Sequence, residues 1–320
     1  ISVSGYHIRD AGSTAVQEMA FAVSNAIAYV EATRAWGAAV DAFAPRISWI
    51  FNTHNHFFEE VAKVRALRRL WARTMRDRFG AHDPRSWQLR THSQTGGATL
   101  TLQQPDNNVV RAAYQAMAAV LGGVQSLALS CRDEAISIPT EESQELALRT
   151  QQILAHETGV ADVVDPLGGS YYVEALTDEL ERRAMALVGE IDAMGGAVAA
   201  IDNGFMQRAI DDEAYRHHSE VESGARVVVG VNAFQRPEQN RLARFPLDPA
   251  AEAAQIEKLR ALRARRDHAA VSRALADVRT ATERGDAQIP SIISAVRAYA
   301  TTGEITDAIA AIWGRYRPTH

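Results

Sequence analysis

An α/β fold built on a parallel sheet is what this sequence predicts, and three observations carry the prediction. Short apolar stretches alternate with long segments of helical periodicity through the first half of the chain. Turn and stop residues, Gly80, Gly122-Gly123, Pro139 and Gly159, punctuate the joins. Each pair of strands is separated by enough chain for a crossover helix, so neighbouring strands run parallel with right-handed connections. Two architectures satisfy that pattern, an open doubly wound sheet and part of a barrel.

Ile1–Gly5 reads as a buried strand running into Tyr6-His7. Ser13–Arg34 reads as a helix, with Val16, Met19, Ala20, Val23 and Ile27 at helical spacing and Ser13 placed to cap it. Val40–Phe51 carries the second strand. Phe57–Phe79 is a long amphipathic helix, its Val61, Val64, Leu67 and Leu70-Trp71 on one face, Arg65, Arg68, Arg69 and Arg73 interspersed, and Gly80 its stop. Trp87–Thr91 is expected as the third strand, followed by a glycine-bearing loop and a helix over Asn108–Leu121. Gln125–Ser130 is the fourth strand and Glu141–His156 the fourth helix, entered through Pro139-Thr140. Beyond them the chain changes character. Pro166–Ser170 is a turn, Tyr171–Glu174 brief and extended, Asp178–Ala193 and Gly196–Asn203 helical, and Val227–Val231 a fifth apolar strand. From about Ala250 to Ile312 runs a helical tail laced with charge. The expected division is therefore 1–165 for the strand–helix units, 166–245 for a flanking segment and 246–320 for the tail.

Composition narrows the function. The chain has 320 residues, 47% hydrophobic and 23% charged, with a formal net charge of −5, which fits a folded globular protein and makes nucleic acid an unsuitable partner. No apolar run approaches the roughly 20 residues of a membrane span, and no secretory leader pattern stands at the start, so a cytoplasmic protein without a membrane partner is expected. The single cysteine, Cys131, forms neither an internal disulfide nor a thiolate zinc site.

In parallel α/β folds ligands bind beyond the carboxyl ends of the strands. The candidates there are Tyr6 and His7 on strand one, Arg46 and Ser48 on strand two, Arg90, His92, Ser93 and Gln94 on strand three, and Gln125, Ser130, Asp133 and Glu134 about strand four. Together they describe a polar pocket. Each has a plainer reading: a strand-end histidine is often only a satisfied structural group, and Arg46 can simply pair with a carboxylate. His54 and His56 in the NTHNH loop lack a third ligand at a supporting spacing, so no metal site is expected. Gly96-Gly97 and Gly122-Gly123 stand in no phosphate-binding frame.

Seven stretches, in this order, carry a resemblance: ISVSGYHIRDAG, DAFAPRISWIF, FFEEVAKVRALRRLWA, LRTHSQTGGATLTLQQPDNNVVR, LGGVQSL, DEAISIPTEES and DPLGGSYYVEALT. They resemble the large, substrate-binding subunit of the methylmalonyl-CoA mutase family of cobalamin-dependent acyl-CoA mutases, from Ile1 to about Phe234, and the ending Trp313–Arg317 is similar to family members whose cobalamin domain is a separate subunit. The resemblance implies an α/β fold that is the second half of a (β/α)8 TIM-type barrel with a C-terminal helical subdomain. It implies an acyl-CoA threaded along the barrel axis and adenosylcobalamin across the carboxyl-end face. His7, with Tyr6, matches the pair that serves the thioester carbonyl. Arg46 and Ser48 match contacts to CoA; His92, Gln94 and Gln125 match polar barrel positions near substrate; Glu134 matches the acid that bonds the adenosyl ribose. Two positions depart from the family pattern around the adenosyl group, Ala128 for a histidine and Ser130 for an asparagine, and Ala98 replaces an aromatic residue beside the cofactor. No Asp-x-His-x-x-Gly motif occurs, so the cobalt ligand is expected from another domain or subunit. The implied partners are an N-terminal barrel half and a small cobalamin-binding subunit in a hetero-oligomer, with catalysis as an isomerase only when they join. The alternatives are a non-catalytic half-barrel that serves assembly, and a CoA-using barrel enzyme without cobalamin. The acyl group stays open among methylmalonyl, ethylmalonyl, isobutyryl and 2-hydroxyisobutyryl.

Overall fold

A computed structural model describes residues 1–237, 244–246 and 248–317. The chain divides into two units, Ile1–Phe245 and Pro246–His320.

In the first unit four strands, β1 (Ser2–Ser4), β2 (Ser48–Thr53), β3 (Thr91–Thr95) and β4 (Ser126–Ala128), form one parallel sheet in sequential order. The register aligns Ser4 with Ile50, Ile50 with His92, and His92 with Ser126. A doubly wound sheet reverses its strand order and carries helices on both faces. Here the order never reverses. The alternate residues Val3, Trp49 and Phe51 are buried in one apolar core with helices, while Ser2, Ser4, Ser48, Ile50, His92, Gln94 and Ser126 on the other face are not fully buried. One covered face and one open face are the wall of a barrel, which decides between the two architectures the sequence left open.

The covering helices follow from the sequence with a few shifts. α1 (Tyr6–Asp10) is a short turn of helix directly after β1, so Tyr6 and His7 begin a helix and do not end the strand. Gly5 permits that turn, because a Cβ there would stand 2.6 Å from the Phe51 ring. α2 (Ala15–Ala35) is capped by Thr14 in a reciprocal box with Gln17, not by Ser13, which is buried. The expected second strand is shorter, since its first half is α3 (Val40–Phe43) and a 3₁₀ turn, Ala44–Arg46. α4 (Phe57–Arg73) continues as a π-helical turn to Arg78. The third strand starts at Thr91; Pro84–Trp87, where an apolar strand was expected to begin, is a 3₁₀ turn. α5 (Asn107–Gly122) ends on Gly123 at φ 81°, and α6 (Glu141–Glu157) is capped by Thr140.

Tyr171–Glu174 is not extended but opens α7 (Tyr171–Ala193), capped by Ser170. α8 (Ala197–Asp202) and α9 (Phe205–Glu222) follow, α9 lying where no helix was expected. Val227–Val231 forms no strand beyond an isolated bridge of Val229 to Ala233. Leu180, Ala184, Val188 and Ile191 of α7 join the core made by α2, α4 and the sheet, with Trp49 edge-on to Trp71 at 4.8 Å. The α4 arginines form a seam with α7: Arg65 to Glu174 at 2.5 Å, and Arg69 and Arg73 both to Glu181 at 2.5 Å.

The second unit contains α10 (Pro249–Arg265), α11 (His268–Arg284), α12 (Ile289–Arg297) and α13 (Thr302–Trp313). Ala274, Val278, Ala295, Ile305 and Ala308 form its core, and Arg266 clamps Glu304 at 2.5 Å. The last three residues of the expected tail lie outside the described residues. Among the described residues no helix is long and apolar enough to cross a membrane.

Candidate active site on the open face of the sheet

A barrel interior is ordinarily packed with branched aliphatic side chains. This open face instead presents Ser2, Ser4, Ser48, Ile50, His92, Gln94, Ser126 and Ala128, small or polar at nearly every inward position. Such a surface solvates a polar ligand and leaves width for it. His92 Nδ1 lies 2.6 Å from Ser126 Oγ in the adjacent register position, and burial lowers the His92 pKa, keeping its imidazole neutral. His7 Nδ1 lies 2.8 Å from Ser4 Oγ.

At the carboxyl ends, the turn after β1 meets the loops after β3 and β4. The Tyr6 phenol lies beside the Gly97 backbone and the Ser130 side chain. Its pKa is pushed up to about 12 by burial first, then by the carboxylates of Asp10 and Glu134. Tyr6 is therefore a protonated donor at any physiological pH. Asp10 accepts from the Ala98 N–H at 2.9 Å and from Asn52 Nδ2 at 3.1 Å, tying the Gly97–Thr99 turn to β2. Glu134 accepts the Cys131 N–H at 2.7 Å, and burial first, then Glu134, raises the Cys131 thiol to about 12.

Not all expected site residues gather there. Arg46, Ser48, Arg90 and Gln125 stand at the amino ends of their strands, because β2, β3 and β4 start later than their apolar runs implied. The candidates thus run the length of the sheet instead of clustering at one end. Arg46 is exposed and has no carboxylate partner among the described residues. Gln125 is engaged with the backbone, its Oε1 accepting the Thr91 N–H at 2.7 Å and its Nε2 donating to Gly123 O at 3.2 Å. Ser130, expected to face a cofactor, is buried and donates to Thr95 O at 2.8 Å. Ala98 offers only its backbone, and that N–H belongs to Asp10.

Sequence reasoning missed the support under this site. β1 leaves the sheet after Gly5, whose N–H makes a bond to Ile50 O at 2.9 Å, and Asn52 is left without a strand partner on that side. Glu18 and Lys63 replace the strand: the Asn52 N–H donates to Glu18 Oε1 at 2.8 Å and Lys63 Nζ donates to Asn52 O at 2.6 Å. The ammonium also meets Glu18 at 2.7 Å and Glu60 at 2.5 Å, all three side chains being fully buried, with Arg9 3.7 Å from Glu60. Burial opposes the charge on Lys63, yet Glu18 and Glu60 together raise its pKa. One signal was available: Lys63 is the only lysine before residue 258 and sits between Glu60 and Leu67 on the apolar face of α4. His54 lies against Gly96, where a Cβ would stand 2.8 Å from its ring, and burial first, then Arg9, lowers its pKa well below the ordinary value. Among the described residues no group of three or more His, Cys, Asp or Glu side chains is arranged to hold a metal ion.

A parallel sheet with one helix-covered face, one open polar face and a tyrosine–histidine pair at its carboxyl end defines the wall of an α/β barrel protein. The methylmalonyl-CoA mutase family model matches residues 1–315, and the chain belongs to that family. It is 47% identical over its whole length to the 2-hydroxyisobutanoyl-CoA mutase large subunit of Aquincola tertiaricarbonis, covering 57% of that protein. It is 44% identical to the methylmalonyl-CoA mutase of Cereibacter sphaeroides over 99% of the chain and 45% of the relative, and 41% identical to that of Escherichia coli over 99% and 44%. The chain spans about half the length of the curated relatives it matches.

Proposed function

We propose that this chain supplies the second half of the barrel wall of an adenosylcobalamin-dependent acyl-CoA mutase, an isomerase of the cytoplasm, acting with an N-terminal barrel half and a small cobalamin-binding subunit. The observation that carries the reading is the open sheet face, polar from the amino-end Arg46 and Ser48 to the carboxyl-end Tyr6 and His7. An acyl-CoA is an extended molecule with phosphates at one end and a thioester at the other. Arg46, exposed and unpaired among the described residues, suits the phosphates. The His7 ring N–H and the Tyr6 hydroxyl suit the thioester carbonyl as hydrogen-bond donors. Ser48, His92 and Gln94 lie between them on the same face.

Residues at the carboxyl ends fit an adenosyl group in one respect: Glu134 is only partly buried, and a carboxylate holding the Cys131 N–H keeps further lone pairs for ribose hydroxyls. Ser130 does not fit, being turned to Thr95. When bound, adenosylcobalamin supplies the radical chemistry, its cobalt ligand coming from another domain or subunit. This chain's part is to hold the carbonyl, orient the acyl group and exclude water.

Reconstitution tests the reading. Co-expression with an N-terminal half and a cobalamin-binding subunit is expected to give a soluble complex that isomerises a short branched acyl-CoA, with methylmalonyl-CoA and 2-hydroxyisobutyryl-CoA as the first substrates to try. A monodisperse, cooperatively folding monomer of the chain alone, with no affinity for either partner, refutes it, because a half-barrel leaves strand edges and its interior uncovered.

A further inference from the structure

Both imidazoles on the open face meet a serine hydroxyl through the same ring nitrogen. Ser4 Oγ lies 2.8 Å from His7 Nδ1, and Ser126 Oγ lies 2.6 Å from His92 Nδ1. The two serines stand in one layer of the sheet, at its outer strands, because Ser4 pairs with Ile50, Ile50 with His92 and His92 with Ser126. We propose that Ser4 and Ser126 are positioning residues that fix His7 and His92 as Nε2–H tautomers, so that each ring presents an N–H donor to whatever occupies the barrel interior.

The argument is one of donors and acceptors. A neutral imidazole has one N–H and one bare nitrogen, and the hydrogen bond at one nitrogen decides which is which. Neither serine hydroxyl has another hydrogen-bond acceptor among the described residues, so its single proton is best placed on Nδ1. Nδ1 then accepts and Nε2 carries the hydrogen. The opposite tautomer would donate to the serine oxygen and leave the hydroxyl proton without a protein acceptor. Among the described residues no carboxylate is bonded to either ring: Asp10 is held by Ala98 and Asn52, and Glu134 by Cys131.

The catalytic consequence rests on the mutase reading, but the tautomer itself does not. The test is nitrogen-15 magnetic-resonance spectroscopy of the histidine-labelled chain in its assembled complex, with His7→Gln and His92→Gln variants assigning the signals. Nδ1 of both rings is expected to resonate as a bare nitrogen accepting a hydrogen bond. Ser4→Ala should move the His7 Nδ1 signal toward the unbonded position and leave His92 alone, Ser126→Ala should do the reverse, and Ser4→Thr, which keeps the hydroxyl, should restore the original signal. Turnover of Ser4→Ala should fall about tenfold in kcat with KM nearly unchanged, the loss of one orienting hydrogen bond. A protonated Nδ1 in the unmodified chain, or Nδ1 signals indifferent to the serine substitutions, overturns the proposal. Because Ser126 is exposed, Ser126→Ala preserves a readable sample if Ser4→Ala does not fold. Correct tautomers in a complex whose turnover ignores His7→Ala would refute the mutase role of His7 and leave the positioning intact.

Discussion

Lys63→Met tests the buried support of the site most directly. The substitution keeps the aliphatic length and deletes the ammonium that lies 2.7 Å from Glu18, 2.5 Å from Glu60 and 2.6 Å from Asn52 O. Two carboxylates with no exposed side-chain surface then share only Arg9, which stands 3.7 Å from Glu60. Breaking a buried pair from one side costs about 3–5 kcal/mol. The orphaned carbonyl of Asn52 belongs within that figure, since its loss is part of the same deletion. Against a typical total of about 5–15 kcal/mol this is a large fraction, and the midpoint of urea unfolding of the assembled complex, followed through the buried Trp49 and Trp71, should fall accordingly. The variant should also become pH-dependent. Burial is already the largest influence on Glu18 and raises its pKa; without Lys63 the rise is greater, so the folded state binds a proton that the unfolded state releases, and stability falls as pH climbs above the unfolded carboxylate value. The double variant Glu18→Gln/Lys63→Met should recover part of the loss by removing one stranded charge. A loss below about 1 kcal/mol, within the range of an exposed pair, would refute the assignment of this cluster as the substitute for a strand partner.

Other consequences follow from the same geometry. His7→Ala should slow turnover of the reconstituted enzyme by roughly 10²–10³ with little change in melting temperature, as deletion of one carbonyl-stabilising donor does; unchanged turnover with a lowered melting temperature would return His7 to a structural role. Arg46→Ala should raise KM for acyl-CoA by about tenfold or more and leave kcat nearly intact, because a remote contact acts alike in ground and transition states; equal falls in kcat and kcat/KM would contradict that placement. The Glu304 carboxyl is held at about 2, chiefly by Arg266, against an ordinary 4.5, so its stabilisation is complete above pH 4.5 and vanishes as pH falls to about 2. With the carboxylate partly exposed, Glu304→Gln should destabilise the Pro246–His320 unit at neutral pH by about 1 kcal/mol, and calorimetry that finds no difference from the unmodified chain at pH 7 would exclude the clamp.

Helical periodicity was legible without coordinates: Val61, Val64, Leu67 and Trp71 marked α4, and Thr140 and Gly123 stood at helix ends because capping chemistry is local. The strands were less legible. A strand buried on both faces reads as an apolar run, but β3 is Thr-His-Ser-Gln-Thr, polar because one face is open and because Ser93 and Thr95 satisfy their hydroxyls within the sheet. The apolar Trp87 and Leu89 therefore drew the expected strand too early, and Val227–Val231 drew one that does not exist. Tyr6, His7 and Glu134 were candidates from their places near strand ends, and the resemblance implied a role for each, but spacing alone does not say that three loops converge. The sequence by itself determined most of the long helices, the parallel connectivity and the family, while α9 and the first turn of α7 escaped it. Only the tertiary structure decided that all the crossovers lie on one face, that Arg46 stands at the opposite end of the sheet from His7, that Ser130 turns to the Thr95 carbonyl, and that Glu18 and Lys63 replace a strand. Those outcomes depend on which side of a strand each backbone group and side chain faces once distant segments pack, and a shift of one residue in register reverses every such answer.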